Sequence, residues 1–213
     1  MKFADIATLV GGMGWFDLPL LVQAFPDRRP AIRLQLSRWI KQGKVIALRR
    51  GMYTLSDETR KVRLDPAILA QHLCRPSYLS GVWALGFHDM IPERVVTFTN
   101  VTTRLPTRFD NAYGVYEYRH IKQAYFFGYE QASYGDSTIL VARPEKALLD
   151  HWHLSPGEWT TDRLVEMRYQ HWMKVNHDRL REAAERFHRP RLQRAAERWV
   201  TLAGLSDEGT VTL

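Results

Sequence analysis

The sequence has little cysteine and no long apolar run. Its 213 residues include one cysteine, Cys74, so an internal disulfide bond is excluded and a reducing compartment is expected. No run of about 18 apolar residues occurs, and the sequence therefore predicts no membrane-spanning helix and no membrane partner. Asp5 and Asp17 interrupt the amino-terminal segment where a secretion signal would be apolar. We therefore expect a cytoplasmic protein.

The motifs of several enzyme classes are also missing. The sequence contains no G-x-G-x-x-G dinucleotide fingerprint, no GxxxxGK[ST] phosphate loop and no G-x-S-x-G nucleophile motif. His151 and His153 lie two residues apart in a predicted helix, where side chains at this spacing point about 200° apart and cannot share one metal ion. The other histidines have no cysteine partner at ligand spacing. We expect no enzymatic activity, no cofactor and no metal.

Positive charge is concentrated in the first quarter of the chain. The formal net charge is +7, and residues 1–56 contain nine lysines or arginines and three aspartates, which gives +6. The remaining 157 residues contain 21 basic and 20 acidic residues, which gives +1. Such segregation favours a polyanionic partner for the amino-terminal segment. Charge alone leaves open a basic protein in which the excess serves only solubility.

Three helices are predicted before residue 43. Apolar residues recur at helical spacing from Lys2 to Val10, and the glycine-rich "GGMG" ends this helix. The second helix begins at Asp17, a capping residue, with Pro19 in its first turn. The third helix runs from about residue 30 to residue 42 and stops at Gly43, a residue suited to a helix end.

The third predicted helix has two different faces. At 100° per residue, four apolar side chains form a stripe that we expect to face the core. The opposite arc is cationic and polar, and it includes a leucine with no core to enter, which suits contact with a thymine methyl group in the major groove. The core stripe comprises Ile32, Leu36, Trp39 and Ile40. The outward arc comprises Arg33, Leu34, Ser37, Arg38 and Lys41.

A hairpin with two cations at its tip follows. Strands 44–48 and 52–55 are joined through Arg49, Arg50 and Gly51, and the glycine supplies the positive φ of a loop of either two or three residues. This order of elements predicts a winged helix-turn-helix DNA-binding domain at residues 1–56, with the third helix in the major groove and the tip on phosphate. A protein-binding or dimerisation module is the alternative. The predicted DNA-contacting residues are Arg28, Arg29, Arg33, Leu34, Ser37, Arg38, Lys41, Arg49 and Arg50.

The rest of the chain predicts a linker and a second domain. Residues 57–65 are charged and aperiodic, which is typical of a linker. Two helices are predicted at 65–73 and 77–90. After them, alternating patterns up to residue 142 predict a small antiparallel sheet, rich in tyrosine and phenylalanine. Residues 66–213 are therefore an α+β domain with a helical carboxy-terminal bundle at about 143–204 and a frayed tail from residue 205. The bundle's later helices are predicted near 160–172, 177–187 and 190–203.

Six short motifs follow one another along the chain. They are "RRGMYTL" at 49–55, "RPSYLS" at 75–80, "IPERVVTFTNVTTR" at 91–104, "YGVYEYRHIK" at 113–122, "FFGYE" at 126–130 and "RPEKALLD" at 143–150. This succession resembles the AbiEi family of antitoxins, the regulator half of type IV toxin–antitoxin pairs. The resemblance implies that the winged helix represses its own promoter. It also implies that the second domain helps to neutralise a nucleotidyltransferase-like toxin encoded next door, without necessarily binding it stably.

Two groups of charged residues in the second domain have different interpretations. Lys146 and Asp150, at i and i+4 of a predicted helix, are expected to form an ion pair worth a few tenths of a kcal/mol. Basic residues at strand ends are candidates for contact with RNA, toxin or DNA, or for an enzyme site together with Glu145. The aromatic residues between them either stack on bases or form the core of the sheet. This possible second basic surface comprises Arg104, Arg108, Arg119, His120 and Lys122.

Overall fold

The amino-terminal part of the chain folds into three helices and a small sheet. A computed structural model describes residues 1–207. Residues 205–207 of the predicted frayed tail belong to the last helix, so the prediction is wrong for them, and residues 208–213 lie outside the described residues. The three predicted helices and the hairpin are present, with bounds that differ by one or two residues from those expected. The elements are α1 (Phe3–Val10), β1 (Phe16–Asp17), α2 (Leu18–Ala24), α3 (Arg29–Lys41), β2 (Val45–Arg49) and β3 (Met52–Leu55).

The three helices surround one apolar cluster. Asp17 caps α2 as predicted, because its carboxylate accepts a hydrogen bond of 2.9 Å from the backbone N–H of Leu20. Three of the four residues in the predicted apolar stripe of α3, Ile32, Leu36 and Trp39, are buried. The fourth, Ile40, is 37% exposed, so its predicted place in the core is wrong. Ile40 lies about 80° around the helix from Ile32, at the rim of the stripe. The cluster comprises Ile6, Val10, Phe16, Leu18, Leu21, Ile32, Leu36, Trp39, Val45 and Leu55.

The hairpin belongs to a three-stranded antiparallel sheet in the order β1-β3-β2. The third strand, β1, was not predicted, and it pairs Phe16 with Tyr53. Arg49 pairs with Met52, so the loop contains two residues, and Gly51 adopts a φ of +79°. The register shifts between Ala47 and Arg49, which leaves a bulge in β2 just before the tip.

A six-stranded sheet forms the centre of the second part of the chain. The sheet is mixed, because β4 pairs with β9 and β5 pairs with β7 in parallel orientation. The prediction of an antiparallel sheet is therefore wrong for these two strand pairs. The β6–β7 hairpin places its second strand beside β5, and β7 therefore runs in the same direction as β5. Across the sheet, the strand order is β6-β7-β5-β4-β9-β8. In chain order, the strands are β4 (Ser77–Leu79), β5 (Thr97–Thr102), β6 (Thr107–Asn111), β7 (Gly114–His120), β8 (Tyr129–Tyr134) and β9 (Ser137–Ala142).

Six helices of the described chain accompany this sheet. The four that follow residue 143 are only loosely consistent with the bundle predicted at about 143–204. The helix expected at 77–90 is shorter, because 77–79 form β4 and Gly81 adopts a φ of +57°. The helix expected at 160–172 ends at Glu166, before the left-handed residues Arg168 and His171. No helix within residues 1–207 is both long and apolar enough to cross a bilayer. The helices are α4 (Pro66–Leu73), α5 (Gly81–Phe87), α6 (Pro144–Leu154), α7 (Thr161–Glu166), α8 (His177–Arg186) and α9 (Pro190–Asp207).

The chain divides into two compact units. The first unit comprises Met1–Leu69 together with Phe109–Gly114, and the second unit comprises the rest of the described chain. The segment predicted as a linker, 57–65, lies in the first unit. Its Arg60 is almost fully buried, and it donates hydrogen bonds to the Asp57 carboxylate and, at 2.7 Å, to the Tyr113 hydroxyl. The first unit therefore includes the tip of the β6–β7 hairpin.

Candidate nucleic-acid interface

The outward face of α3 is open. All of the residues predicted to contact DNA on this helix or at its start are exposed, and Leu34 is 55% exposed. The helix is fixed from its other side, where Trp39 packs edge to face against Phe3 with ring centroids 5.4 Å apart. The amphipathic pattern therefore orients the cations and Leu34 away from the core of the first unit.

The amino-terminal end of α3 carries cations where helices favour acids. Arg28 is the N-cap residue and makes no capping hydrogen bond from its side chain, and Arg29 begins the helix. No acidic residue occurs in the first turn. Asp27, the preceding acid, pairs with the amino group of Met1 at 2.9 Å. Because the helix dipole is positive at this end, the two arginines add to a positive potential that would attract an anion.

The cations of this face and of the hairpin tip are not neutralised by any carboxylate within residues 1–207. In the described part of the chain, none of them forms an ion pair with a carboxylate. The charge is therefore available to a partner. The residues concerned are Arg28, Arg29, Arg33, Arg38, Lys41, Arg49 and Arg50.

The two arginines at the hairpin tip are not equivalent. Arg50 is exposed, whereas Arg49 is only partly exposed. The Nη1 atom of Arg49 donates a hydrogen bond of 3.2 Å to the carbonyl oxygen of Arg50. Its Nε atom is buried and has no hydrogen-bond partner among the described residues. Arg49 thus stabilises the turn as well as adding charge, while Arg50 is free to meet a phosphate.

A residue distant in sequence supports this hairpin. Asn111 belongs to the first unit, and its Nδ2 atom donates a hydrogen bond of 3.0 Å to the carbonyl oxygen of Leu48. Leu48 lies in the bulge, where the ladder is interrupted. The sequence interpretation missed this contact because it joins residues 63 positions apart. No local pattern signals it.

Sequence reasoning also missed two exposed side chains beside the predicted contacts. Ile40 extends the apolar part of the exposed face next to the cations of α3. Lys44 is exposed after the helix, and its Nζ lies 5.3 Å from the centroid of the Phe3 ring. The basic run that continues past Gly43 was the available signal for Lys44.

The five residues of the predicted second basic surface are all exposed, but they have different neighbours. Arg108 lies 3.9 Å from the Glu117 carboxylate. Arg119 donates to the carbonyl oxygen of Leu154 at 3.3 Å. The Nδ1 atom of His120 lies 3.0 Å from the carbonyl oxygen of Arg104. Lys122 makes no hydrogen bond through its side chain in the described structure, so Arg104, His120 and Lys122 remain the candidates for an external partner.

The tyrosines between these basic residues belong mainly to the core. Tyr116 and Tyr118 are buried, and the hydroxyl of Tyr118 donates to the carbonyl oxygen of Ala70. Tyr125 is also buried, and its hydroxyl donates to the carbonyl oxygen of Phe187 at 3.0 Å. These three tyrosines therefore form part of the core and are not exposed for stacking on bases. Partly exposed aromatic residues follow them in the chain at 126 and 129.

The ion pair predicted on α6 is buried rather than exposed. Lys146 is 1% exposed and Asp150 is 0% exposed, and the two form an ion pair. The other oxygen of Asp150 accepts hydrogen bonds from Tyr78, at 3.0 Å, and Ser80, at 2.7 Å. Burial lowers the pKa of Lys146, against the attraction of Asp150, and burial and Asp150 raise the pKa of Tyr78. The expected contribution of a few tenths of a kcal/mol, which applies to exposed pairs, is therefore wrong for this pair.

The residues considered for an enzyme site line different cavities. Arg119 borders a cavity of about 240 Å³ with Glu117 and His151. Glu145 is buried beside another cavity, of about 170 Å³, and its carboxylate accepts a hydrogen bond of 2.7 Å from the backbone N–H of Asn176. This bond gives Glu145 a structural role.

Comparison with known proteins adds no family. No protein-family model matches the chain, and no curated protein sequence matches it significantly. Within residues 1–207, no group of three or more histidine, cysteine, aspartate or glutamate side chains is placed to hold a metal ion. Function is therefore inferred from the charge, exposure and partners of the residues described above.

Proposed function

We propose that this protein is a DNA-binding transcriptional repressor whose first unit acts as a winged helix-turn-helix. In this proposal α3 enters the major groove and the β2–β3 hairpin lies over a neighbouring phosphate strand. The observation that carries the proposal is the set of cations on α3 and the hairpin tip that no carboxylate of the described residues neutralises. A structural role would not require them, because the fold is held from the opposite, apolar face.

The contacts divide into two kinds. Arg33, Leu34 and Arg38 lie on the exposed face of α3, with Ser37 between them, and we assign them to base edges in the major groove. Arg50, at the hairpin tip, is assigned to phosphate together with the arginines at the start of α3. Phosphate contacts supply affinity that depends on salt but little sequence information.

The biological role in the proposal comes from the motif resemblance. A repressor of the AbiEi type would bind an inverted repeat upstream of its own gene, because a dimer reads two half-sites. The second unit would act as the antitoxin against a nucleotidyltransferase-like toxin, in the cytoplasm. Co-expression with the toxin encoded by the adjacent gene tests this part: restored growth supports it, and growth arrest at matched expression levels contradicts it.

A gel-shift experiment tests the DNA-binding proposal. The duplex from the region upstream of the gene is compared with a shuffled duplex of the same length, for the wild type and two double variants. Arg33→Ala/Arg38→Ala should weaken binding to the upstream duplex by about 1–3 kcal/mol for each arginine removed, with a smaller effect on the shuffled duplex. Arg49→Ala/Arg50→Ala should weaken both duplexes alike.

The matched control removes two cations from the second unit. Arg94 and Arg179 are exposed, and Arg94→Ala/Arg179→Ala lowers the net charge by the same amount. This variant should bind the upstream duplex like the wild type. With about five phosphate contacts, the logarithm of affinity should fall against the logarithm of salt concentration with a slope near −4.5. Equal behaviour of all three variants would contradict the assignment of contacts.

A further inference from the structure

Two cavities in the second unit border the same short segment, residues 122–126. The first, which we call the lysine cavity, has a volume of about 540 Å³. The second, the aromatic cavity, has a volume of about 500 Å³. In the described structure, no aspartate or glutamate lines either of them. The lysine cavity is lined by Lys122, Tyr125, His188, Arg189, Pro190, Arg191 and Arg194. The aromatic cavity is lined by Gln71, Arg75, Pro76, Ser77, Arg104, Phe126, Tyr129 and Leu140.

The cations of the lysine cavity differ in their partners. Arg191 is structural, because its guanidinium donates to four carbonyl oxygens at 2.6–3.1 Å, around the end of α6. Arg194 pairs with the carboxylate of Glu158 at 2.9 Å. Lys122 and Arg189 are exposed, and their side chains form no hydrogen bond or ion pair within residues 1–207. Two cations are therefore available at this cavity.

The positive potential of the lysine cavity acts on its neighbours. Burial lowers the pKa of His153 to about 4, and the charges of Arg189, Arg191 and Lys122 act in the same direction. Burial also lowers the pKa of Arg191, with repulsion from Arg189 as the next cause. Glu158 offsets part of this charge, because it pairs with Arg194 and acts to raise the pKa of Arg191. Lys122 and Arg189 have no carboxylate partner within residues 1–207, and a bound anion would relieve the repulsion that remains.

The aromatic cavity adds flat apolar surfaces to cations. Phe126 and Tyr129 are partly exposed, with ring centroids 5.3 Å apart. Tyr129 is supported from below by Tyr78, stacked at 4.5 Å. Arg104 is exposed and has no carboxylate partner among the described residues. An exposed ring beside an arginine is the arrangement on which an unpaired base stacks while its phosphate is bound.

Most other cations of the second unit are already paired. Arg143 pairs with Glu130 at 2.7 Å, and Arg181 pairs with Glu197 at 3.0 Å. Lys174 pairs with Asp89 at 3.0 Å. Arg94 and Arg179 are exposed without a carboxylate partner within residues 1–207, but neither lines one of the two cavities. The cations beside residues 122–126 are therefore distinguished by being grouped around cavities that no acidic residue of the described chain lines.

We propose that the second unit binds single-stranded nucleic acid along residues 122–126. Lys122, Arg189 and Arg104 would contact phosphates, and Phe126 and Tyr129 would stack on bases. A duplex keeps its bases stacked inside, and it would leave the aromatic cavity unused. This proposal goes beyond the proposed repressor function and does not depend on it, because the surface lies in the other unit.

The test measures binding of oligonucleotides of about 10 nucleotides, within the usual site sizes of single-strand binders, by fluorescence anisotropy. RNA and DNA versions of one pyrimidine-rich sequence are used. All proteins carry Arg33→Ala, Arg38→Ala and Arg50→Ala, which remove cations of the first unit. In this background Lys122→Ala/Arg189→Ala should weaken binding by roughly tenfold or more and make the salt slope shallower by about 1.4. Arg94→Ala/Arg179→Ala, with the same charge change, should have little effect.

A second variant separates base stacking from simple anion binding. Phe126→Leu keeps an apolar side chain against Tyr78 and Tyr129 but removes the flat ring, and it should weaken binding by about fivefold or more. Pyrophosphate is the competitor, and it should displace the oligonucleotide only weakly. Full displacement by pyrophosphate, with no effect of Phe126→Leu, would leave a phosphate site and overturn the proposal. Equal losses in the Arg94/Arg179 control would overturn it as well.

The outcome can be separated from that of the repressor proposal. In the otherwise wild-type chain, Lys122→Ala/Arg189→Ala should leave binding to the upstream duplex unchanged. Preference for RNA over DNA would identify the 2′-hydroxyl as part of the ligand, and equal binding would identify a generic single strand; both results support the proposal. Absence of binding to either oligonucleotide, with upstream-duplex binding intact, would refute this proposal alone.

Discussion

The two units use their charged residues differently. In the first unit, within the described residues, ion pairs join Asp27 to the terminal amine and Asp57 to Arg60, and the cations of α3 remain unpaired. In the second unit, carboxylates pair with cations at the surface and in the core. The surplus in the first unit is thus a property of its surface, not only of its composition. Charge that is matched internally contributes to folding, while the unmatched charge of the first unit faces solvent, where a partner of opposite charge can reach it.

The contrast is sharpest between two lysines on helices. Lys41 lies exposed near the end of α3, where the helix dipole favours a cation and solvent screens it. Lys146 is buried near the start of α6, where its charge depends on Asp150 and three aromatic rings 5.0–5.6 Å away. Removal of the Lys41 charge is expected to change the affinity for a partner. Removal of Asp150, the counter-ion of Lys146, is expected to change the stability of the fold.

The largest expected effect is on the stability of the second unit. Asp150→Ala leaves the ammonium group of Lys146 buried without its counter-ion, and Tyr78 and Ser80 lose their acceptor. We expect a loss of about 3–5 kcal/mol in the free energy of unfolding, measured by urea denaturation. Lys146→Met/Asp150→Leu should recover much of this loss, since no buried charge remains.

The matched control is an exposed aspartate. Asp178 lies 3.4 Å from Arg181 on the surface of α8. Asp178→Ala is expected to cost less than about 1 kcal/mol, because exposed ion pairs are screened by water and salt. A similar loss for Asp178→Ala and Asp150→Ala would show that burial of the pair does not decide its energetic role.

A smaller effect is expected from acid. Burial, followed by the charge of Arg163, lowers the pKa of His151 from 6.5 to about 4. The unfolded chain therefore binds a proton in a range where the folded protein does not. Stability from this group is complete above pH 6.5 and is lost as the pH falls towards 4. Between pH 7 and pH 5 we expect the second unit to lose about 1–2 kcal/mol from this histidine.

His151→Phe checks this expectation. The ring of His151 lies beside Trp159, with centroids 5.1 Å apart, and its Nε2 atom has no hydrogen-bond partner in residues 1–207. Phenylalanine keeps the ring contact and cannot bind a proton. The variant should lose less stability than the wild type when urea unfolding is repeated at pH 5. An unchanged pH dependence would mean that other groups dominate acid destabilisation.

Local features of the fold could be predicted from the sequence. The cap at Asp17, the positive φ of Gly51 and the buried stripe of α3 depend on residues within one or two turns of the chain. For the same reason the cationic face of α3 was predictable, because helical periodicity alone separates it from the core. Ile40 was misplaced, since periodicity does not give the width of the buried stripe.

Features that depend on distant pairing could not be predicted. The parallel pairing of β4 with β9 and the burial of Lys146 follow from which strands become neighbours, and strand spacing along the chain does not decide this. The role of Arg60 is similar, because its partner Tyr113 is 53 residues away. In the candidate interface, the residues on α3 were predictable, but the support of the hairpin by a distant asparagine was not.

The hairpin offers a test of that support. Asn111→Ala removes the hydrogen bond to the carbonyl oxygen of Leu48 and the acceptor of the Tyr113 backbone N–H. We expect a loss of about 1 kcal/mol in the stability of the first unit for each hydrogen bond removed. Hydrogen exchange of the β2–β3 amides should become faster, while the amides of α3 change little. Unchanged exchange in the hairpin would show that the turn is held by its own residues.

The smallest expected effect distinguishes the two arginines of the tip. Arg50 is exposed, while Arg49 is partly buried and bonded to the backbone of the turn. Arg50→Ala should therefore make the salt slope of DNA binding shallower by about 0.9, the value for one phosphate contact. Arg49→Ala should change the slope less and lower the stability of the hairpin more. The reverse order, measured by DNA titrations at several salt concentrations and by hydrogen exchange, would mean that Arg49 turns outward to the phosphate when DNA is bound.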